Sequence, residues 1–132
     1  MKNEKREIKF RGLSENKRIL TGEWEWVYFD LHQLALNTDL QGKFNFLRTD
    51  TITQFTGLHD KNGKEIYEGD ILHFTSESIN GYQKVIVEEN LEVRFQDGAF
   101  TTILELLGNG LRRRDMFIIG NIYENEDLLK NV

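Results

Sequence analysis

Few chain paths are compatible with the run TGLHDKNGKEIYEGDIL at residues 56–72. Asp60-Lys61-Asn62-Gly63 places an Asx residue first and a glycine fourth, which suits a type I turn closed by a left-handed glycine, a G1 bulge. A two-residue type I′ turn at Asn62-Gly63 is the alternative and would shift the register by one residue. Either path makes a hairpin. A second signal follows at Tyr67-Glu68-Gly69-Asp70-Ile71-Leu72. There glycine permits a bend, the aspartate satisfies nearby backbone N–H groups, and the apolar pair launches a buried strand. The run builds architecture and contains no reaction centre.

The rest of the chain reads in the same β idiom. Ile8 and Phe10 alternate with Lys9 and Arg11, which predicts a half-buried strand with the basic residues outward, closed by Gly12 and followed by a turn at 14–17. Trp24, Trp26 and Tyr28 form a period-two aromatic stripe, expected to pack in a core or between lobes. Asp30 with Gln33 forms a capping box for one short helix, with Leu31, Leu34 and Ala35 on a shared face. Residues 40–44 read as loop or edge strand. From Thr51 onward strands dominate. Ile71, Leu72 and Phe74 make a strand, and 75–81 is polar and mobile. Glu88-Glu89-Asn90 is a solvated hairpin loop, and Asp97-Gly98 is another hairpin turn. The apolar run 103–107 is broken by Gly108-Asn109-Gly110, Met116 to Ile119 form a central strand, and Asn125 caps a final acidic turn. The fold class is mainly β, β-rich α+β at most.

The 132 residues suit one domain, 1–132, with sub-lobes at 1–50 and 51–132. A formal charge of −5 disfavours indiscriminate binding to nucleic acid or anionic membrane. With no cysteine there is no disulfide framework, thiolate metal site or cysteine nucleophile, which suits a reducing cytoplasm. No segment approaches the roughly 20 apolar residues of a membrane span, and the charged N-terminus does not read as a signal peptide. The absence of proline means that exposed strand edges must be blunted by charge, bulges or coverage.

No residue set reads as catalytic. His32, His59 and His73 fall in three different elements, so neither a metal nor a cofactor site is expected of them. Glu68 and Asp70 flank a bend, where a structural role for Asp70 outweighs acid–base work. Gly108-Asn109-Gly110 lacks the spacing of a phosphate-binding loop. The sharpest charge feature is Arg112-Arg113-Arg114, read as a solvated loop between strands and as the candidate contact for a phosphate or acidic partner.

Three blocks occur in order along the chain: IKFRG at 8–12, QFTGL through EGDI at 54–71, and IGNIYEN at 119–125. Together they resemble the YopX-like family of phage and prophage proteins. Glu126 departs from the pattern, standing where such proteins often have proline. The resemblance implies an SH3-like small barrel in the C-terminal half, an N-terminal β-rich lobe with one short helix, and a bacterial host cytoplasm. It implies no activity, since the family is of unknown function. The resulting expectation is a non-enzymatic accessory module that binds a protein partner or self-associates as a homo-oligomer. The alternative is a nucleic-acid-binding barrel using the arginine-rich loop with N-terminal lysines. A hydrolase built from scattered Asp, Glu and His residues is a third reading.

Overall fold

A computed structural model describes residues 7–36 and 46–130, with side chains of 34–36 excluded. The expectations for residues 40–44, for Leu34 and Ala35, and for two of the N-terminal lysines of the nucleic-acid alternative, Lys2 and Lys5, therefore lie outside the described residues. The chain divides into two compact units, Met1–Gly57 and Leu58–Val132.

In the first unit, β1 (Lys9–Lys17) lies between β2 (Trp24–Asp30) and the start of β3 (Thr53–His59). β1 pairs antiparallel with both, setting Phe10 opposite Phe29 on one side and opposite Gln54 on the other. The strand does not stop at Gly12. It runs on through a bulge between Leu13 and Lys17, and the chain reverses at 18–23 instead. Val27, Phe29 and Leu47 form the core, with Phe10 against them. The expected outward placement of Arg11 fails as well. Arg11 is only 5% exposed, and its guanidinium lies 4.2 Å from the Trp26 ring centroid. The indole gives the buried arginine a cation–π contact as well as apolar packing along its stem. Trp24 and Trp26 are thus half-buried on the face opposite the core, and Tyr28 is exposed. Of the two placements expected for the stripe, the core one belongs to Val27 and Phe29.

Two local motifs fix the ends of these elements. Asp30 and Gln33 exchange side-chain-to-backbone bonds of 2.8 and 3.0 Å, the expected capping box of α1 (Leu31–Leu36). A 3-10 turn at Thr49–Thr51 presents the buried Thr51 hydroxyl, which accepts from the Leu13 amide at 2.8 Å and donates to the Arg48 carbonyl at 2.6 Å.

The second unit begins with the end of β3, whose sheet neighbour is β4 (Glu65–Tyr67). Their turn is type I with a G1 bulge: Gly63 has φ +80°, Asn62 has no positive φ, and the Asp60 amide donates to the Lys64 carbonyl at 2.9 Å. The type I′ alternative is thereby ruled out. A curled sheet follows, in the order β6–β5–β9, from β5 (Asp70–Asn80), β6 (Gln83–Glu92) and β9 (Phe117–Asn121). β9 is therefore an edge strand, not the central one expected from its apolar run, because β5 takes the middle. A small hairpin, β7 (Arg94–Gln96) and β8 (Ala99–Thr101), turns on Asp97 and Gly98, whose φ values of +51° and +80° are those of type I′.

The bend at Gly69 (φ +89°) curls this half-barrel. Gly69 and Val93 are joined by an amide-to-carbonyl bond of 2.8 Å, and Val93 donates back to the Asp70 carbonyl at 2.9 Å. Asp70 is buried and accepts from the Tyr67 amide at 2.8 Å, the structural role expected of it. Ile66, Leu72, Phe74, Leu91, Val93, Leu107 and Met116 make the core. The molecule is mainly β, as the pattern of strands and turns predicts.

Candidate interaction surface

The polar segment at 75–80, expected to be mobile, is regular strand. β5 and β6 stay paired from Ile71↔Glu92 out to Asn80↔Gln83, and the chain reverses only at Gly81-Tyr82, with Gly81 at φ +66°. Glu88, Glu89 and Asn90 accordingly sit within β6, opposite Thr75, Phe74 and His73, and not in a hairpin loop. The signal was a glycine at the first position of a two-residue turn, flanked by alternating Val85 and Val87. Polar composition at 75–80 obscured it.

Burial divides this hairpin in two. Leu72, Phe74 and Leu91 enter the core, whereas every side chain from Thr75 to Glu88 is exposed. Six residues at a rise of roughly 3.3 Å make an arm about 20 Å long. Its exposed side chains are unusually apolar: Ile79 is 81% exposed, Ile86 59%, and Tyr82 at the tip fully so. Ile79, Ile86, Glu77 and Lys84 share a face, with Lys84 Nζ 3.1 Å from Glu77. Glu77, Ile79, Tyr82 and Lys84 line an open concavity of about 410 Å³. Val85 and Val87 extend the opposite face. At the arm's base, the Asn90 side-chain oxygen accepts from His73 Nδ1–H at 2.7 Å and its N–H₂ group donates to the Leu128 carbonyl at 2.9 Å, locking β6 to the final 3-10 turn (Glu126–Leu129).

The arginine triplet is not a loop between strands. Arg112 and Arg113 end α2 (Leu107–Arg113), which also contains Gly108, Asn109 and Gly110, the residues expected to break regular structure. The helix-propensity cost of two glycines, about 1 kcal/mol each, is overridden by packing. Leu107 is buried and Leu111, one turn on, lies against the same core. A Cβ on Gly110 would stand 2.9 Å from Met116 Cε, so the glycine lets the helix approach closely. The run 103–106 before it is exposed at Ile103, Leu104 and Leu106 and does not extend the apolar strand.

Glu105 gathers two of the three guanidiniums. Its carboxylate meets Arg113 at 3.0 Å and is also bonded by Arg114, whose guanidinium lies 5.0 Å from the Phe74 ring centroid. Arg112 bonds the Asn109 side-chain oxygen, and Asp115 pairs with Lys61 at 3.3 Å. The positive charge is therefore partly spent inside the protein. A hollow beside Arg114, lined also by His59, Asp60 and Met116, measures about 120 Å³, small beside the roughly 300 Å³ at which small-molecule sites begin.

Among the described residues, no group of three or more His, Cys, Asp or Glu side chains converges as a metal site would require. Burial pushes the Glu68 carboxyl above the usual carboxylate range, and the charge of Glu92 adds to this. Glu92 itself lies 3.5 Å from Arg94. No helix of the described residues is long and apolar enough to cross a membrane.

The model of the YopX protein family matches residues 2–130. A crystal structure of protein EF1440 from Enterococcus faecalis is similar over 92% of this chain and 97% of that one, with 27% identity and a TM-score of 0.51. No curated protein sequence matches the chain.

Proposed function

This chain belongs to the YopX protein family, and on that premise we propose that it is a non-enzymatic binding module whose working surface is the β5–β6 arm. The family resemblance supplies the setting, a phage or prophage accessory protein in the cytoplasm of a bacterial host. One observation carries the reading: Ile79, Tyr82 and Ile86 stand exposed on a regular, fully paired hairpin. Apolar side chains held on an ordered scaffold gain by burial against a second surface, at roughly 25 cal/mol per Å², with little further ordering cost. Soluble proteins seldom leave such a cluster uncovered without a use. The arginine triplet favours the nucleic-acid alternative less, because Glu105 already engages Arg113 and Arg114.

The test compares the wild-type chain with an Ile79→Ser/Tyr82→Ser/Ile86→Ser variant, by light scattering and by affinity capture from bacterial host lysate. Assembly, whether with itself or with another protein, is expected in the wild type and lost in the variant, with the melting transition retained. A wild type that stays monomeric and captures nothing beyond what the variant captures would sink the proposal.

A further inference from the structure

Resting on the arm as the binding surface, we infer that its partner is a second copy of this chain, joined through the free edge of β6 in one defined antiparallel register. β6 ends the sheet β6–β5–β9, so among the described residues no strand pairs with its outer side. The final 3-10 turn holds its base through Asn90 and Leu128, which leaves residues 83–88 as open edge. Asn80 and Gln83 close a two-residue turn. The pair closing such a turn exchanges both hydrogen bonds, and pairs then alternate between bonded and non-bonded. Gln83, Val85 and Val87 thus bond to β5, while the N–H and C=O groups of Lys84, Ile86 and Glu88 point outward.

An antiparallel partner must set outward-pointing residues opposite one another. For two copies of β6 that leaves registers differing by steps of two residues. Only one is complementary. Centred on Ile86, it sets Ile86 against the partner's Ile86, Lys84 against the partner's Glu88, and Glu88 against the partner's Lys84. Val85 and Val87 meet each other on the opposite face. A shift of two residues either way sets Lys84 or Glu88 against Ile86 and loses both charge pairs. The sequence KVIVE at 84–88 is therefore its own complement under a two-fold axis. Edge charges of one sign would keep two such edges apart, whereas opposite signs at equal distance from the centre bring them together in register. The product is a six-stranded sheet continuous across the dyad.

Lys84→Glu and Glu88→Lys test the register directly. Each variant alone sets like charges opposite at both ends, and dimerisation measured by sedimentation should weaken roughly 10- to 100-fold. Mixed in equal amounts, the two variants match charge for charge and should form a heterodimer, which a folding defect could not produce. The chain has no cysteine, so Ile86→Cys adds a unique thiol. Opposite partners in a bonded pair have Cα atoms about 5.5 Å apart, within disulfide reach, while Lys84→Cys would hold its thiols about 13 Å apart. Under a mild oxidant, Ile86→Cys should cross-link and Lys84→Cys should not. A wild type that is monomeric at every attainable concentration overturns the inference, as does cross-linking that ignores position or a mixture no tighter than either variant. If such a monomer still captures another protein through Ile79, Tyr82 and Ile86, self-pairing falls and the binding-module reading stands. If capture is arm-independent too, both fall.

Discussion

Replacing Asp60 by alanine removes a carboxylate that holds two distant pieces of backbone together. Oδ1 accepts from the amides of Asn62 and Lys64, each at 2.9 Å, and Oδ2 accepts from the amide of Ile118 at 2.9 Å. Asp60 is itself buried. Asn62 and Lys64 are exposed, so water can replace the carboxylate there, at a cost of about 1 kcal/mol for each bond. Ile118 is half-buried in β9, and losing a charge-assisted acceptor there costs about 2 kcal/mol. The expected loss is about 4 kcal/mol, a large share of the roughly 5–15 kcal/mol that holds a domain folded. For a chain of this length that corresponds to a melting point lower by roughly 12–24 °C. Asp60→Asn keeps one acceptor oxygen but turns an N–H₂ donor toward another N–H, so it should fall between the two. Differential scanning calorimetry of wild type, Asp60→Asn and Asp60→Ala makes the comparison. An alanine variant melting within roughly 3 °C of wild type would refute the argument, since three lost hydrogen bonds should exceed an ordinary surface effect.

Further expectations follow from the backbone and from the buried polar groups. Gly69→Ala forces a Cβ into a left-handed site 3.2 Å from the Tyr123 ring, and should cost about 2–3 kcal/mol in urea unfolding. Gly57→Ala has the same sign of φ in open space and should cost only about 1–2. Equal losses would show that crowding is irrelevant. Thr51→Val strands the Leu13 amide in a fully buried setting and should destabilise by about 1–3 kcal/mol, whereas Thr51→Ser should be nearly harmless. Should serine and valine behave alike, the hydroxyl has no such role. The raised Glu68 pKa makes its protonated form the one that folding favours. Its contribution is fully present below the unfolded value of 4.5 and is lost as pH rises through the folded pKa. Glu68→Gln should therefore melt above wild type at neutral pH, with the gap closing as pH falls toward 4.5. A gap independent of pH would contradict the assignment.

Asp60 also marks the boundary between what could be read along the chain and what could not. Its turn was legible because the partners, Asn62 and Lys64, lie within four residues, where residue type alone decides which bonds form. The same holds for Asp30 with Gln33, Gly69 with Asp70, and Asp97 with Gly98. The second oxygen of Asp60 reaches Ile118, 58 positions away, and nothing local encodes that distance. Arg11 alternates like a solvent-facing residue, yet it is buried because a tryptophan from β2 covers it. Gly108 and Gly110 read as breakers, yet the packing of Leu107 and Leu111 into the core holds them in a helix. The arm shows the converse: polar side chains at 75–80 mark a mobile segment, and equally a strand whose two faces are both exposed. The sequence by itself determined the turns at 60–63 and 97–98, the bend at Gly69, the Asp30 cap, the mainly β class and the kinship. Tertiary structure alone decided which faces are buried, that 75–88 is a paired arm, and that β6 ends its sheet, because burial and pairing depend on surfaces converging from remote parts of the chain.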